Sequence, residues 1–260
     1  MSIQTTEAIV LRSTNFSESS KIVTFYSSQF GKIKGIAKGA RSAKNKFGSS
    51  LEIFSLVTLV FYQKKTDIQL ISQCDLENTF FNIRNDLVKT AYASYFIELI
   101  NKTIEGAQES EQIFSLILNA LITLETTNVE PEVLAHFFEI RLLKMLGCIP
   151  VFDRCVNCGV KITNARFSLS LGGVLNEECW GADESALRVS LGSILTVQHL
   201  QSSDFPDLSR LKLNKLSSKE LKLVLESYIK YTLVKNLKSL EFLEKINEAE
   251  LRIKTLCSKD

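Results

Sequence analysis

GKIKGIAKGARSAKNKFG, residues 31–48, begins as an alternating segment and ends as a basic loop. Ile33, Gly35 and Ala37 fall on one side of an extended chain, and lysines fall on the other. The stretch contains no acidic residue and six basic side chains, Lys32, Lys34, Lys38, Arg41, Lys44 and Lys46. A lysine-faced strand that runs into a basic loop favours polyanion binding, and Phe47 at its end is a candidate to stack on bases.

Strand-like segments surround this stretch on both sides. TEAIVLRSTNF and KIVTFYSS precede it, and LEIFSLVTLVFY and IQLISQCDLENTF follow it. They are rich in β-branched and aromatic residues, and polar turns separate them. No helical pattern lies between them, which disfavours a parallel α/β fold. Five short strands predict a Greek-key barrel of the OB type over residues 1–80, with an SH3-like barrel as the alternative.

The apolar period changes to that of a helix at Asn85. Pro131 suits the first turn of one predicted helix, and Ser217 with Glu220 predicts a capping box for another. The predicted fold class is therefore α+β and multidomain, an OB barrel followed by an all-α domain with a zinc-knuckle-like insertion. Beyond the barrel we predict four segments: a first helical part (81–150), the cysteine knuckle (151–183), a second helical part (184–245) and a charged C-terminal tail (246–260).

Charge is distributed unevenly along the chain. Residues 1–50 carry eight basic and two acidic side chains, a net charge of +6, so the other 210 residues carry −4 of the total of +2. Such an asymmetry indicates a nucleic-acid or acidic partner. The N-terminus lacks the pattern of a secretory signal, and no apolar run is long enough to span a membrane, so we expect a cytoplasmic protein.

Three of the six cysteines form a possible metal site. Cys155 and Cys158 lie in a CxxC knuckle, and Cys179 follows 21 residues later. Structural zinc takes four thiolate or imidazole ligands, but Asn176 stands where a second CxxC would need a cysteine. The other candidates for a fourth ligand are Asp183, His199 and Cys148. Two interpretations stay open: a structural zinc held by three cysteines, or a knuckle that keeps its hairpin without metal.

Catalytic patterns are scarce in this chain. It has two histidines, and His136 lies on an apolar helix where a structural role is expected. GxSxG, Walker and HExxH motifs are absent, and no acidic pair suggests a two-metal nuclease. We therefore expect a protein that is not an enzyme.

Four segments occur in order along nearly the whole chain: EAIVLRSTNFSESSKIVTFYSSQFGKIKGIAKGARSAKNKFG, RLLKMLGCIPVFDRCVNCG, FSLSLGGVLNEEC and NLKSLEFL. In these segments the chain resembles the RecO family of bacterial recombination mediators. This resemblance implies an N-terminal OB-fold, a helical domain and a zinc knuckle. The family's zinc-binding members have a cysteine at the position of Asn176.

The resemblance also implies a function in DNA repair and homologous recombination, in the RecF pathway. RecO-like proteins bind single- and double-stranded DNA, anneal complementary strands and work with RecR and RecF. They help RecA replace the single-stranded DNA-binding protein on gapped DNA, and nucleoid association follows from that role. Family DNA contacts match the six basic residues named above.

The partner sites implied by the resemblance are less sharply located. The family docks the acidic, hydrophobic-ended tail of the single-stranded DNA-binding protein on its helical domain, and Arg141 with Lys144 is our candidate for that pocket. The alternative function is a protein-interaction scaffold whose basic barrel binds an acidic partner peptide. Such a scaffold would bind the peptide and ignore naked oligonucleotides.

Overall fold

A closed five-stranded barrel forms the N-terminal part of the computed structural model, which describes residues 2–105 and 111–246. Its strands are β1 (Ser2–Phe16), β2 (Ser20–Ser27), β3 (Gly31–Ala37), β4 (Leu56–Gln63) and β5 (Ile68–Asn78). They follow the order β1-β2-β3-β5-β4, in which β3 and β5 pair in parallel and β4 closes onto β1. This order is that of the OB-fold and confirms the predicted barrel.

Alternating apolar residues fill the barrel. Val23, Phe25, Val57 and Leu59 are fully buried, because every second side chain of a strand points inward. Gly35 of β3 lies against Ile71 of β5, whose side chain occupies the space that a Cβ atom at position 35 would need. The glycine therefore lets β3 and β5 approach each other inside the core.

Three helices follow the barrel: α1 (Phe81–Asn85), α2 (Leu87–Thr103) and α3 (Glu111–Thr126). The carboxylate of Glu125 on α3 accepts hydrogen bonds from the backbone N–H groups of Asn82 and Ile83, both at 3.0 Å. It thereby satisfies two donors that the first turn of α1 leaves open. These elements, the barrel and residues 237–246 form one compact unit. Residues 247–260, which make up most of the predicted tail, lie outside the described residues.

Residues 127–236 form a second compact unit. It contains α4 (Pro131–Met145), a three-stranded sheet of order β7-β6-β8, α5 (Leu191–Ser202) and α6 (Lys215–Thr232). The strands are β6 (Ala165–Ser168), β7 (Gly173–Leu175) and β8 (Leu187–Val189). On one face of the sheet, Phe167 packs against Phe152 and Tyr228 at centroid distances of 5.2 and 5.6 Å. Among the described helices, none combines the length and the apolar composition that a membrane span needs.

The start of α6 differs from the predicted capping box. Asn214 is the N-cap and accepts a hydrogen bond from the Ser217 N–H group at 2.9 Å. Glu220 instead accepts hydrogen bonds from the hydroxyl groups of Ser190 and Ser193 at the start of α5. The predicted cap was wrong because Asn214, three residues earlier, offers the same side-chain acceptor, and Glu220 contacts another helix.

Candidate nucleic-acid interface

The alternation predicted for β3 is confirmed by its burial. Ile33, Gly35 and Ala37 are buried inside the barrel, whereas Lys34 is exposed and Lys32 is half-buried. The strand therefore presents its lysines on the outer surface of the barrel, as the period of two requires.

A row of polar side chains crosses the barrel surface at Lys34. Arg12 of β1 is opposite Thr24 of β2, and Thr24 is opposite Lys34 of β3. Directly opposed residues on antiparallel strands share a face, with Cβ atoms about 5 Å apart. Arg12 and Lys34 are thus separated by one uncharged neighbour, which keeps two positive charges on one face without direct contact.

A cleft of about 780 Å³ lies beside this row. Its polar lining comes from all five strands and from the turn between β4 and β5, and includes Arg12, Thr24, Lys34, Lys64, Gln69 and Asp67. Four basic residues line it in total, since Lys32 also contributes, against the single acid Asp67. A concave surface with excess positive charge concentrates polyanions, because the low-dielectric walls focus the field.

Lys32 lines this cleft, but its ammonium group is engaged elsewhere. The Nζ atom donates hydrogen bonds to the carbonyl oxygens of Asn101 at 2.8 Å and Ile104 at 2.5 Å, at the C-terminal end of α2. Burial lowers the pKa of Lys32, and Glu105 opposes that shift. A cation at a helix C-terminus satisfies open carbonyl groups. Lys32 therefore holds α2 to the barrel and contributes less to the cleft than Lys34.

The basic loop after β3 contains two anchored and two free cations. Arg41 donates to the Ser17 carbonyl at 2.7 Å, and Lys46 donates to the Ser72 carbonyl at 2.6 Å. Lys38 and Lys44 are exposed, and their side chains make no hydrogen bond or ion pair within residues 2–105 and 111–246. Backbone carbonyls are neutral acceptors, so these hydrogen bonds add no negative charge to the loop.

The predicted stacking residue Phe47 lies inside the barrel. Its side chain is 4% exposed and belongs to the same apolar cluster as Leu51 and Cys74. It has no free face on which a base could stack, which corrects the expectation drawn from its place in a basic loop. Tyr26 is likewise fully buried. Phe16 is 49% exposed at the end of β1, one residue before the Ser17 carbonyl that binds Arg41.

Cys155, Cys158 and Cys179 converge in the second compact unit. Their sulfur atoms all lie within 4.8 Å of one another, while tetrahedral zinc with thiolate ligands places sulfur atoms about 3.8 Å apart. Burial opposes ionisation of Cys155, but hydrogen bonds from the backbone N–H groups of Asn176, Cys158 and Asn157 lower its pKa to about 7. A hydrogen bond from Asn157 lowers the pKa of Cys179, but contacts with Cys158 and Cys155 together with burial raise that pKa overall. The three sulfur atoms are close enough to bind one metal ion after a small contraction.

A fourth protein ligand is missing from the described part of the chain. The side chain of Asn176 accepts a hydrogen bond from Thr163 N and donates one to the Lys161 carbonyl, both at 3.1 Å. The carboxylate of Asp183 accepts hydrogen bonds from Ser168 and Ser185, both at 2.6 Å. Neither group is available to a metal in this arrangement, so the fourth position of a zinc ion would fall to water.

The two residues predicted for partner binding differ in their contacts. Arg141 donates to the Ser203 carbonyl and to Asp204, and its guanidinium lies 5.1 Å from the Phe137 ring centroid. Lys144 is exposed near the end of α4. Arg141 therefore ties α4 to the segment after α5, and only Lys144 is free for an acidic partner.

Sequence reasoning missed Arg12 and Lys64, which line the cleft. Arg12 lies 22 residues before Lys34, and only the pairing of β1 with β2 and of β2 with β3 brings the two together. The available signal was the period of β1, in which Arg12 and Thr14 interrupt the apolar residues on one side. Lys64 lies in the turn after β4, where charged residues are common without function.

Two family models match the chain, Recombination protein O N terminal over residues 1–80 and Recombination protein O C terminal over residues 84–241. The chain belongs to the RecO family. A relative named DNA repair protein RecO from Symbiobacterium thermophilum is 33% identical over 253 residues, 96% of this chain and 100% of the relative. A protein of the same name from Alkaliphilus metalliredigens is 29% identical over 243 residues, 93% of this chain and 98% of the relative. As a RecO-family member, the chain is a DNA repair protein.

Proposed function

We propose that this RecO-family chain binds DNA through the barrel cleft and the basic loop and anneals complementary strands without an enzymatic step. The observation that supports this most directly is the row from Arg12 through Thr24 to Lys34 beside a cleft of about 780 Å³. Charge on a concave polar surface suits a flexible phosphate backbone. The proposed phosphate contacts are Arg12, Lys34, Lys64, Lys38, Arg41 and Lys44, and Lys32 and Lys46 contribute less. Phe16, whose ring is exposed, is the candidate to stack on a base.

Family membership supports a wider role in recombination. We infer that the protein helps load RecA onto gapped DNA coated by single-stranded DNA-binding protein, with RecR as a partner. The acidic tail of the single-stranded DNA-binding protein would meet the helical part of the chain, where Lys144 is the free cation of the predicted pair. A structural zinc ion, bound by Cys155, Cys158 and Cys179, would hold the knuckle together.

The test is annealing of two complementary oligonucleotides by the full chain in the absence of ATP. We expect annealing that weakens steeply with salt, because released counterions drive the binding. Changing Lys38, Arg41 and Lys44 together to alanine should slow annealing and weaken binding to a single-stranded oligonucleotide. Unchanged affinity in this triple variant would remove the loop from the interface.

The scaffold alternative gives a different pattern. A protein whose barrel serves an acidic peptide would bind such a peptide at the cleft and leave oligonucleotides unbound at physiological salt. Anisotropy with a labelled peptide and a labelled oligonucleotide, measured on the same preparation, separates the two functions. Metal-dependent degradation of the labelled DNA by the pure protein would instead indicate a nuclease.

A further inference from the structure

Two arginines face each other across the small sheet of the second unit. Arg166 of β6 is directly opposite Arg188 of β8. Opposed residues of antiparallel strands project from the same face, and like charges in such positions destabilise a sheet. Throughout the described ranges, neither guanidinium has a carboxylate within 4.0 Å. The pair therefore concentrates uncompensated positive charge on one face of the sheet.

Trp180 holds one of these arginines in place. The guanidinium carbon of Arg166 lies 4.1 Å from the centroid of the indole ring, a cation–π contact that keeps the guanidinium plane fixed. The Nε atom of Arg166 and the Nε1 atom of Trp180 are both buried without a hydrogen-bond acceptor in the part of the chain described. Buried donors without an acceptor are costly, so a rearrangement of these side chains that brings oxygen atoms to them would be favourable.

Nearby charged groups have partners that the arginine pair lacks. Glu177 accepts a hydrogen bond from Asn164 at 3.1 Å, and the carboxylate of Asp183 is occupied by serine hydroxyl groups. Arg154, in the same region of sequence, forms an ion pair with Asp153 at 2.9 Å. Within the described residues, neither Arg166 nor Arg188 has such a partner.

We propose that Arg166, Arg188 and Trp180 form a second nucleic-acid contact, which binds a phosphodiester group of a single strand. The inference rests on the proposed function and adds to it a site in the compact unit that lacks the barrel. Two guanidinium groups on one face can donate to several oxygens of one phosphate, and guanidinium geometry matches phosphate. The indole holds one of them rigid, which reduces the entropy lost on binding.

Trp180 also provides the assay, because it is the single tryptophan of the chain. The full-length protein is titrated with an oligothymidylate of 20 nucleotides, and the tryptophan emission and the anisotropy of the oligonucleotide are followed together. In the wild type we expect emission to change with the same midpoint as anisotropy. Arg188→Ala should abolish the emission change and reduce the salt slope of binding by about 0.7, the loss expected for one single-strand phosphate contact.

Arg154→Ala is the matched control, since it removes one arginine from the same region but one already paired with Asp153. It should leave both the emission change and the salt slope as in the wild type. Arg166→Lys, which keeps the charge but loses the planar fork, should weaken the emission change. Near-ultraviolet circular dichroism of each variant shows whether the surroundings of Trp180 are intact.

Three outcomes would overturn the second site. One is wild-type binding by anisotropy with no change in tryptophan emission. Another is an Arg188→Ala variant that keeps the full emission change and salt slope. The third is an emission change that an acidic peptide produces and the oligonucleotide does not, which would make the face a peptide site. In all three cases the barrel interface can still stand, whereas absence of any oligonucleotide binding refutes the proposed function itself.

Discussion

The barrel cleft makes a quantitative prediction about salt. We consider a variant in which Arg12, Lys34 and Lys64 are all changed to alanine. All three side chains line the cleft of about 780 Å³, and none of them forms an ion pair within the described residues. Their removal deletes cleft charge while the hydrogen bonds that hold α2 and the basic loop remain.

The expected magnitude follows from the number of proposed phosphate contacts on the barrel. Each phosphate contact on a single strand contributes about 0.7 to the slope of log affinity against log salt concentration. Six barrel contacts, three in the cleft and three in the loop, contribute about −4 to the slope of the wild type. The triple cleft variant should lose about half of that contribution, so a fourfold rise in salt should weaken its binding roughly 18-fold less than that of the wild type.

The assay is fluorescence anisotropy with a labelled single-stranded oligonucleotide at four salt concentrations between 50 and 200 mM. Lys64→Ala and Lys65→Ala form a matched pair of neighbouring lysines, since Lys64 lines the cleft and Lys65 does not. Lys32→Met is a second control. The Lys32 ammonium already donates to the carbonyls of Asn101 and Ile104 at the end of α2, so this variant should change the slope less than Lys34→Met does.

A triple variant that folds normally and keeps the wild-type slope would refute the assignment of the cleft. So would equal losses for Lys64→Ala and Lys65→Ala, because the effect would then reflect net charge rather than position. A larger slope change for Lys32→Met than for Lys34→Met would show that the contacts to α2 do not withdraw Lys32 from DNA.

Three further predictions concern stability and metal binding. Burial raises the pKa of Glu220, but hydrogen bonds from Ser193 and Ser190 outweigh that effect and lower the pKa overall. The Glu220→Gln variant should therefore have a free energy of unfolding in urea that is lower by about 1 kcal/mol at neutral pH. That difference in free energy should disappear as the pH falls below about 4 and through the lowered pKa, because the native carboxylate is then protonated. Glu178→Gln, at an exposed position, is the control and should leave the free energy of unfolding unchanged. Gly35→Ala should destabilise the barrel by about 1–3 kcal/mol, because the new Cβ atom would lie 2.7 Å from Ile71 Cγ1. Gly181→Ala is the control and should be nearly neutral, since no atom lies within 4 Å of its Cβ position. Equal unfolding midpoints for the two variants would contradict this prediction. Asn176→Cys should raise zinc affinity in competition with a chelator, since a fourth thiolate replaces water, and unchanged affinity would show that position 176 lies outside the metal's reach.

Periodicity in the sequence was enough to predict the barrel strands and the side of β3 that carries its lysines. The alternation around Gly35 depends only on the geometry of an extended chain, and the burial of Ile33 and Ala37 agrees with it. The CxxC knuckle could also be predicted from the sequence, because Cys155 and Cys158 are close in sequence and a short turn is enough to bring their sulfur atoms together.

Side-chain partners could not be predicted in the same way. Phe47 has the sequence context of a stacking residue, yet its ring is buried in the same apolar cluster as Leu51. Lys32 and Lys34 are equivalent in sequence, but α2 reaches only one of them. Contacts between residues distant in sequence depend on packing, about which a local pattern carries no information.

The sequence by itself determined that this protein has a lysine-faced barrel strand, a long helical part and a knuckle with three cysteines, because each is a local pattern. Only the tertiary structure decided which cations act together. Strand pairing aligns Arg12 with Lys34 across Thr24, and pairing of β6 with β8 opposes Arg166 and Arg188. The physical reason is that an electrostatic field depends on distances in space, and those are set by strand register rather than by sequence separation.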